Sequence, residues 1–415
     1  MSIRHPLLQS RFAGAVTRRQ FVTQAVGASA ALAWHGSALP WATASTGAQP
    51  VFKAGLVGCG GRGSLIGSYF KKHGGFDVCA VADYFQPVAD DAGATLGVDK
   101  SHCFSGLSGY QKLIDSGVEV VILENIPAFM PEQAMAAVKA GKHVYMAKPV
   151  AADVPGCLAI EAAAKLAQQK GRCFLVDYQI PTDPVNIEVV RQVQDGKIGK
   201  IVQLATIGIA HGCPDPPLTG NLESRFQKLI WVNDAALGCD YIGNFDIHAV
   251  DAALWVMGQR PVSACGSSTV ARPNAHGDSR GVCSVVYEYA DGTVQNHYGQ
   301  ALPNSSDGTL DCHVYGTTGN ALVSYWGKAS VRSGPGEYSG QVTDLYQQGI
   351  IRNVATFYDN VAQARADCST VRRAVDSALA CLLGREAAMR RVRLTMDEVI
   401  KENKKPSVDL TGLKV

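Results

Sequence analysis

No charge of either sign dominates this chain: 38 Lys and Arg stand against 36 Asp and Glu, a formal net charge of +2 over 415 residues. A surface so balanced gains little from a polyanion. With no dense Lys/Arg run either, nucleic acid and an anionic membrane surface are set aside as partners. Long apolar runs are missing as well. The weakly apolar stretch Phe21–Trp34 is interrupted by Thr23, Gln24 and Gly27, too short and too polar to span a bilayer as a mature helix. Cysteine is not scarce, with 12 residues, but no C-x-x-C pair occurs among them. That argues against structural zinc, and no metal site is expected. The thiols are spread singly from Cys59 to Cys381, many within apolar patterns where Cys behaves as a small hydrophobe. Disulfide pairing cannot be read from this spacing.

What is present begins with a leader. Arg4, Arg11, Arg18 and Arg19 form a basic start with no acidic residue before Phe21, the apolar stretch follows, and Ala42-Thr43-Ala44 is an A-x-A cleavage site. Thr17-Arg18-Arg19-Gln20-Phe21-Val22 resembles the twin-arginine (Tat) export consensus. The resemblance implies that residues 1–44 are a Tat signal peptide and the Tat translocon a transient partner, with the mature protein in the bacterial periplasm. A lipid anchor is not expected, because the leader lacks cysteine. The Tat route carries folded proteins, so a nucleotide enzyme exported this way would bring its cofactor along, tightly bound.

The mature chain is long enough for two domains. From residue 45 to 178, short apolar runs alternate with helical patterns, as in a doubly wound parallel α/β sheet. Strands are expected at Lys53–Val57, Phe76–Ala82, Val118–Leu123, His143–Met146 and Cys173–Val176. The first runs into Gly58-Cys59-Gly60-Gly61-Arg62-Gly63, a G-x-G-x-x-G match that opens a helix. A turn this tight needs residues without a Cβ, so that backbone N–H groups and a helix N-terminus can reach a pyrophosphate. Asp83 lies twenty residues beyond Gly63, at the end of the second strand, where a carboxylate accepts from the ribose hydroxyls. Tyr84, Phe85 and Gln86 follow it, with no Lys or Arg for a 2′-phosphate, which favours NAD over NADP.

Residues 179–415 read differently. A helix at Asn186–Asp195 precedes strands at Ile201–Ile209, Val262–Val270, Val282–Tyr289, Thr293–Tyr298, Asp311–Tyr315 and Ala321–Tyr325, with Ala290-Asp291-Gly292 as a hairpin turn. This predicts an α+β domain with a large, mostly antiparallel open sheet. Two helical patterns, Ile351–Ala366 and Val371–Arg390, close the chain.

Together with the glycine motif and Asp83, the segment Ala140-Gly141-Lys142-His143-Val144-Tyr145-Met146-Ala147-Lys148-Pro149-Val150 resembles the Gfo/Idh/MocA oxidoreductases. The likeness continues through Gly243-Asn244-Phe245-Asp246-Ile247-His248-Ala249-Val250-Asp251 to Leu382-Leu383-Gly384-Arg385-Glu386. It implies a Rossmann domain followed by a substrate-binding and oligomerisation domain, in a homodimer or homotetramer paired through the outer face of the antiparallel sheet. It also implies that Lys148 holds the substrate hydroxyl beside the nicotinamide. An ammonium there favours a developing oxyanion. His248 is the general acid–base candidate, since its ordinary pKa suits proton exchange near neutrality. If one helix runs through the second motif, Asn244, His248 and Asp251 share a face. Pro149 either takes a cis bond or fixes the turn. Glu124, Asn125 and Pro127 occupy the loop where relatives touch the cofactor. Tyr178, Asp240 and His297 are candidates for sugar hydroxyls, with Asp177 and Gln179 flanking Tyr178 toward the same crevice. Trp231, Trp255 and Trp326 could stack a sugar or serve as core.

Two departures from the family pattern stand out. Ala147 replaces the Glu of Glu-Lys-Pro, and Asn244 replaces an Asp. Loss of both carboxylates should let Lys148 give up its proton more readily. The leading expectation is a periplasmic, NAD-dependent sugar or polyol oxidoreductase that exchanges hydride between two substrates through a retained cofactor. The altered proton inventory leaves two alternatives open: a glycoside hydrolase or lyase that oxidises a hydroxyl transiently, and a non-catalytic NAD- and sugar-binding protein.

Overall fold

The computed structural model describes residues 49–218, 221–273 and 275–415; the leader expected at 1–44 lies outside them. The alternation of short apolar runs with amphipathic stretches folds as anticipated. In chain order come β1 (Phe52–Val57), α1 (Gly61–His73), β2 (Phe76–Asp83), α2 (Gln86–Leu96), β3 (Cys103–Ser105) and α3 (Gly109–Asp115). Then follow β4 (Val120–Leu123), α4 (Met130–Lys139), β5 (His143–Ala147), α5 (Val154–Gln169) and β6 (Phe174–Asp177). The six strands are parallel in the order β3-β2-β1-β4-β5-β6. That order puts a crevice outside the carboxyl ends of β1 and β4, where the winding reverses. The strand β3 escapes the sequence pattern because three residues carry no readable alternation.

The second half contains α6 (Pro184–Gln194), β7 (Ile201–Ala210), α7 (Ala235–Gly238), α8 (Asp240–Asn244) and α9 (Ile247–Met257). Next come β8 (Ser263–Thr269), β9 (Val282–Glu288), β10 (Val294–Ala301), β11 (Thr309–Gly316), β12 (Gly319–Ser324), β13 (Gly327–Ser333) and β14 (Gly336–Val342). The chain ends with α10 (Leu345–Ala362), α11 (Ser369–Arg390), β15 (Leu394–Thr395) and α12 (Met396–Glu402). Nine strands form one sheet, β14-β13-β12-β11-β7-β10-β9-β8-β15, antiparallel except where β10 runs parallel to β7. The strands β13 and β14 were not expected from sequence. They form a polar outer hairpin in which Glu337 accepts from Lys328 and Arg332, so charge hides the period-two pattern. The helices α6, α9 and α11 all cover the same face of this sheet.

From Leu345 the chain returns to the first sheet. Ile350, Val354 and Phe357 on α10 pack with Phe70, Phe76 and Tyr145, and much of α11 shares a core with β4, β5 and α5. This return clamps the strand ends of one sheet against helices that carry the other. None of the described helices is long and apolar enough to cross a membrane.

Candidate active site

At the end of β1 the glycine motif divides its labour. Gly58 has φ +88°, and a Cβ there would overlap the Glu124 carbonyl. A Cβ on Gly63 would overlap the Gly58 carbonyl, so this glycine lets α1 pack against the turn. On Gly60 or Gly61, by contrast, a Cβ would meet nothing within 4 Å. The open side of the turn is therefore bare backbone at the start of a thirteen-residue helix, which fits an anionic diphosphate. Asp83 ties the turn to β2: its carboxylate accepts from the N–H of Cys59 at 2.9 Å and of Phe85 at 3.0 Å. Burial raises its pKa against these bonds. Each oxygen keeps a lone pair for a ribose hydroxyl. The sequence case for NAD rested on the lack of a basic residue after Asp83, but the fold carries one in from far away. Lys414 Nζ donates to Ser105, the register partner of Asp83, at 2.7 Å.

The other end of the crevice holds the charged groups. Arg62, from the glycine motif, bridges Glu124 at 3.2 Å and Asp177, and stacks over Tyr346. Asp177 also accepts from Asn353 Nδ2 at 2.6 Å. Burial raises the Glu124 pKa despite Arg62. Its second oxygen, Oε1, is buried with no partner. Lys148 precedes a cis proline, Pro149, and its Nζ donates to the Asn244 carbonyl at 2.6 Å. Burial, with a contribution from Arg62, pushes the Lys148 ammonium down to about 7, while Asp177 and Glu124 pull the other way. These two carboxylates stand near the ammonium in a chain whose own motif has lost Glu at 147 and Asp at 244.

His248 sits on α9 with its ring edge-on to Tyr178 and Tyr325 at 6.0 and 5.0 Å. Its Nδ1 is buried and unpartnered. Burial, then Lys148, then Arg62 hold its pKa well below the ordinary value, so the ring is a neutral base across the physiological range. An orphaned ring nitrogen beside a partly neutral amine is a high-energy arrangement in a folded core, and a bound hydroxyl would satisfy it.

Several expected site residues are placed elsewhere. Asn244 does not share a helix with His248: it ends α8, Phe245 and Asp246 intervene, and α9 starts at Ile247. The break lets Asp246 drop its carboxylate into a hollow of the second sheet left by the paired Gly208 and Gly299. What Asn244 offers Lys148 is its freed carbonyl. Asp251 is fully buried; its Oδ1 accepts from Arg373 at 3.0 Å and Ser377 at 2.8 Å and so ties α9 to α11, while its Oδ2 is buried without a partner. Asp240 accepts from the N–H groups of Tyr241 and Arg280, and burial pushes it up to about 6. His297 lies buried between Asp246 and Thr206, each at 3.1 Å. Tyr178 stays at the site: it is buried, its ring stands edge-on to His248, and its hydroxyl is buried without a partner. Asn125 folds its Oδ1 onto the Ile126 N–H and its Nδ2 onto Gln133, while Pro127 is buried in the same turn. Among the described residues Asp246, Cys283 and His297 offer ligand-type atoms within 4.8 Å of one another. The His297–Asp246 bond already uses that proximity. Trp326 donates to the Gly308 carbonyl and packs on Tyr325; Trp255 lies under Arg373.

Comparison with known proteins bears on family and fold. Residues 52–178 match a family model described as an oxidoreductase family with an NAD-binding Rossmann fold, and residues 187–322 match the GFO/IDH/MocA C-terminal domain. The chain is 29% identical to inositol 2-dehydrogenase 2 of Saccharopolyspora erythraea over 226 residues, 53% of this chain and 59% of that protein. It is 22% identical to levoglucosan dehydrogenase of Pseudarthrobacter phenanthrenivorans over 266 residues, 59% of this chain and 64% of that one. The chain thus spans about three fifths of the length of these relatives. In fold it is similar to a levoglucosan dehydrogenase in complex with NADH and levoglucosan (TM-score 0.69, 16% identity, 83% of this chain and 99% of that one). It is also similar to the aldose-aldose oxidoreductase of Caulobacter crescentus complexed with glycerol (TM-score 0.67, 18% identity, 84% and 100%).

Proposed function

The chain belongs to the GFO/IDH/MocA oxidoreductase family, and from that premise we propose an NAD-dependent enzyme that oxidises a CH–OH group of a sugar, polyol or sugar derivative. The observation that carries this reading is the buried, unpartnered Nδ1 of His248, a ring whose pKa the Lys148 charge helps to lower, in a domain that also presents a bare glycine turn. The residues fit a dinucleotide: Gly58, Gly60, Gly61 and Gly63 shape the diphosphate seat, Asp83 the ribose, and Arg62, Glu124 and Pro149 the far end. The bound nicotinamide supplies the two-electron acceptor. His248, neutral at pH 7, takes the hydroxyl proton. Lys148, while charged, steadies the oxygen as negative charge builds on it. Asp177, bridged to Arg62, stands in for the missing motif carboxylates in sustaining the Lys148 ammonium.

Asp83 supports NAD over NADP, and Lys414 makes a direct comparison of the two worthwhile. We further read the cofactor as tightly held and the reaction as a dismutation, one hydroxyl oxidised and a second carbonyl reduced at one seat. The name of the Caulobacter neighbour is consistent with that chemistry. The arginine pair and the A-x-A site support export through the Tat translocon to the periplasm. The test is to purify the protein, assay NAD and NADP in the denatured supernatant, and incubate it with pairs of sugars in D₂O. Dismutation gives one oxidised and one reduced product. Release of an aglycone with deuterium washed into the ring, and no net redox change, would instead establish the glycosidase route. His248→Ala should abolish turnover with nucleotide still bound; a fully active variant would sink the assignment. Cell fractionation with N-terminal sequencing of the mature protein tests export.

A further inference from the structure

The carboxyl end of β2 opens into a cavity of about 400 Å³, bordered by Asp83 and Tyr84 on one side and Asn125 and Phe129 on another. The strand ends of β1 and β2, the loop after β3 and the helices α3 and α4 supply most of the rest, including Tyr110, Gln111, Glu132 and Gln133, and one side is closed from outside that domain. Leu410 and Val415, from the segment after α12, and Phe226, from the loop between β7 and α7, complete it. The ring of Phe226 stands edge-on to Tyr84 at 5.1 Å and to Phe129 at 5.5 Å.

The segment is fastened where it crosses the strand ends. The Leu107 N–H donates to the Lys414 carbonyl at 2.9 Å, and the Lys414 N–H donates to the Tyr84 hydroxyl at 3.0 Å. Lys414 Nζ donates to Ser105 at 2.7 Å. An Asp409–Thr411 turn aims Leu410 at the cavity. Gly106, at φ +88°, lets the strap come close: a Cβ there would stand 3.0 Å from the Val415 backbone. Two of these bonds go to the end of β3 and the loop after it and one to the loop after β2, more than a stray tail makes, and Leu410 and Val415 line the same cavity as the ribose carboxylate.

We propose that residues 410–415 form a strap that, with Phe226, builds the adenosine subsite, and that the dinucleotide leaves only when this strap lifts. The inference rests on the reading of the crevice as a dinucleotide site. It gives tight retention a physical cause: an adenine held against Phe226, Phe129 and Leu410 would gain apolar contact, and its escape route is covered by chain that must first break three hydrogen bonds.

The test uses the full chain, a chain ending at Lys405, and full-length Leu410→Asp, each checked for folding by thermal melt without nucleotide. NADH release is followed by fluorescence, and affinities for NAD, ADP-ribose and nicotinamide mononucleotide are measured by calorimetry. The expected result is release at least tenfold faster in both variants. NAD and ADP-ribose should weaken together while the mononucleotide is unchanged. Nucleotide should also slow carboxypeptidase digestion of the full chain. Equal release rates and affinities in all three proteins would overturn the strap while leaving the dinucleotide site standing. A full-length protein that binds neither NAD nor ADP-ribose would remove both.

Discussion

Lys148 joins the functional and the energetic arguments in a single side chain. Its folded pKa of about 7 lies below the ordinary 10.5, chiefly through burial. Between those values the unfolded chain carries a proton that the folded protein does not, so stability rises with pH across the window. Below pH 7 the protein bears the full cost of a charged, half-buried ammonium. Lys148→Met should therefore stabilise the nucleotide-free protein by about 1–3 kcal/mol at pH 6, after allowance for partial exposure, with the gain gone by pH 10. Calorimetric melts across that range decide it; a variant that is less stable at pH 6 contradicts the account. Activity follows the same titration with opposite sign. His248 stays neutral well below its usual range, so the rate of alcohol oxidation should hold at pH 6 and fall above about 7 as Lys148 loses its charge. In Lys148→Arg the falling limb should move up, because a guanidinium does not titrate there. A wild-type profile flat from pH 6 to 9 would separate Lys148 from the chemistry.

The glycine turn makes a sharper case, because two of its members differ only in what surrounds them. At Gly63 an added methyl overlaps the Gly58 carbonyl, and neither backbone can yield without parting β1 from α1. Gly63→Ala should cost about 2–4 kcal/mol and abolish nucleotide binding. At Gly61 the space is open, and alanine in a first helical turn loses less entropy. Gly61→Ala should leave the melt within about 1 kcal/mol of wild type, or raise it, while weakening NAD because the methyl faces the diphosphate seat. Equal melts for the two variants would mean that the turn is not packed as described. This element was legible in the sequence, since each glycine answers to a local steric need. So were five of the six strands of the first sheet, β3 excepted, because their apolar runs are largely buried. The break between Asn244 and Ile247 was not legible, because it is set by a hollow between Gly208 and Gly299, on strands far along the chain. The protein partners of Asp240, Asp251 and His297 were not legible either, for a related reason. A local pattern shows which polar residues stand in a motif, but partners such as Arg373, Ser377 and Thr206 come from distant elements. Phe226 and Lys414 reach the crevice by long-range return of the chain, which no local pattern announces.

At the scale of the whole molecule, the second sheet has two unlike faces. Its inner face is sealed by α6, α9 and α11, whereas the alternate residues Ile207, Ile209, Val286, Tyr298 and Tyr315 point away from them. Tyr298 and Tyr315 stay 49% and 42% exposed. A broad sheet face carrying aliphatic and aromatic side chains, with a shallow groove of about 550 Å³ beside Tyr298, is costly to leave in water. A second copy related by a two-fold axis would cover it with the same groups, because an isologous contact needs only one self-complementary patch. We propose this face as the subunit interface, and a stable pair should bury on the order of 800 Å² per copy there. The crevice with Lys148 and His248 lies on the other side of the sheet, beneath the helices, so pairing need not obstruct it. Tyr298→Asp would set two carboxylates into the centre of the contact and should yield monomers in sedimentation equilibrium at micromolar concentration, with NAD affinity retained. A wild-type protein that is monomeric at the same concentration removes the interface, and a Tyr298→Asp protein that remains dimeric moves it to another surface.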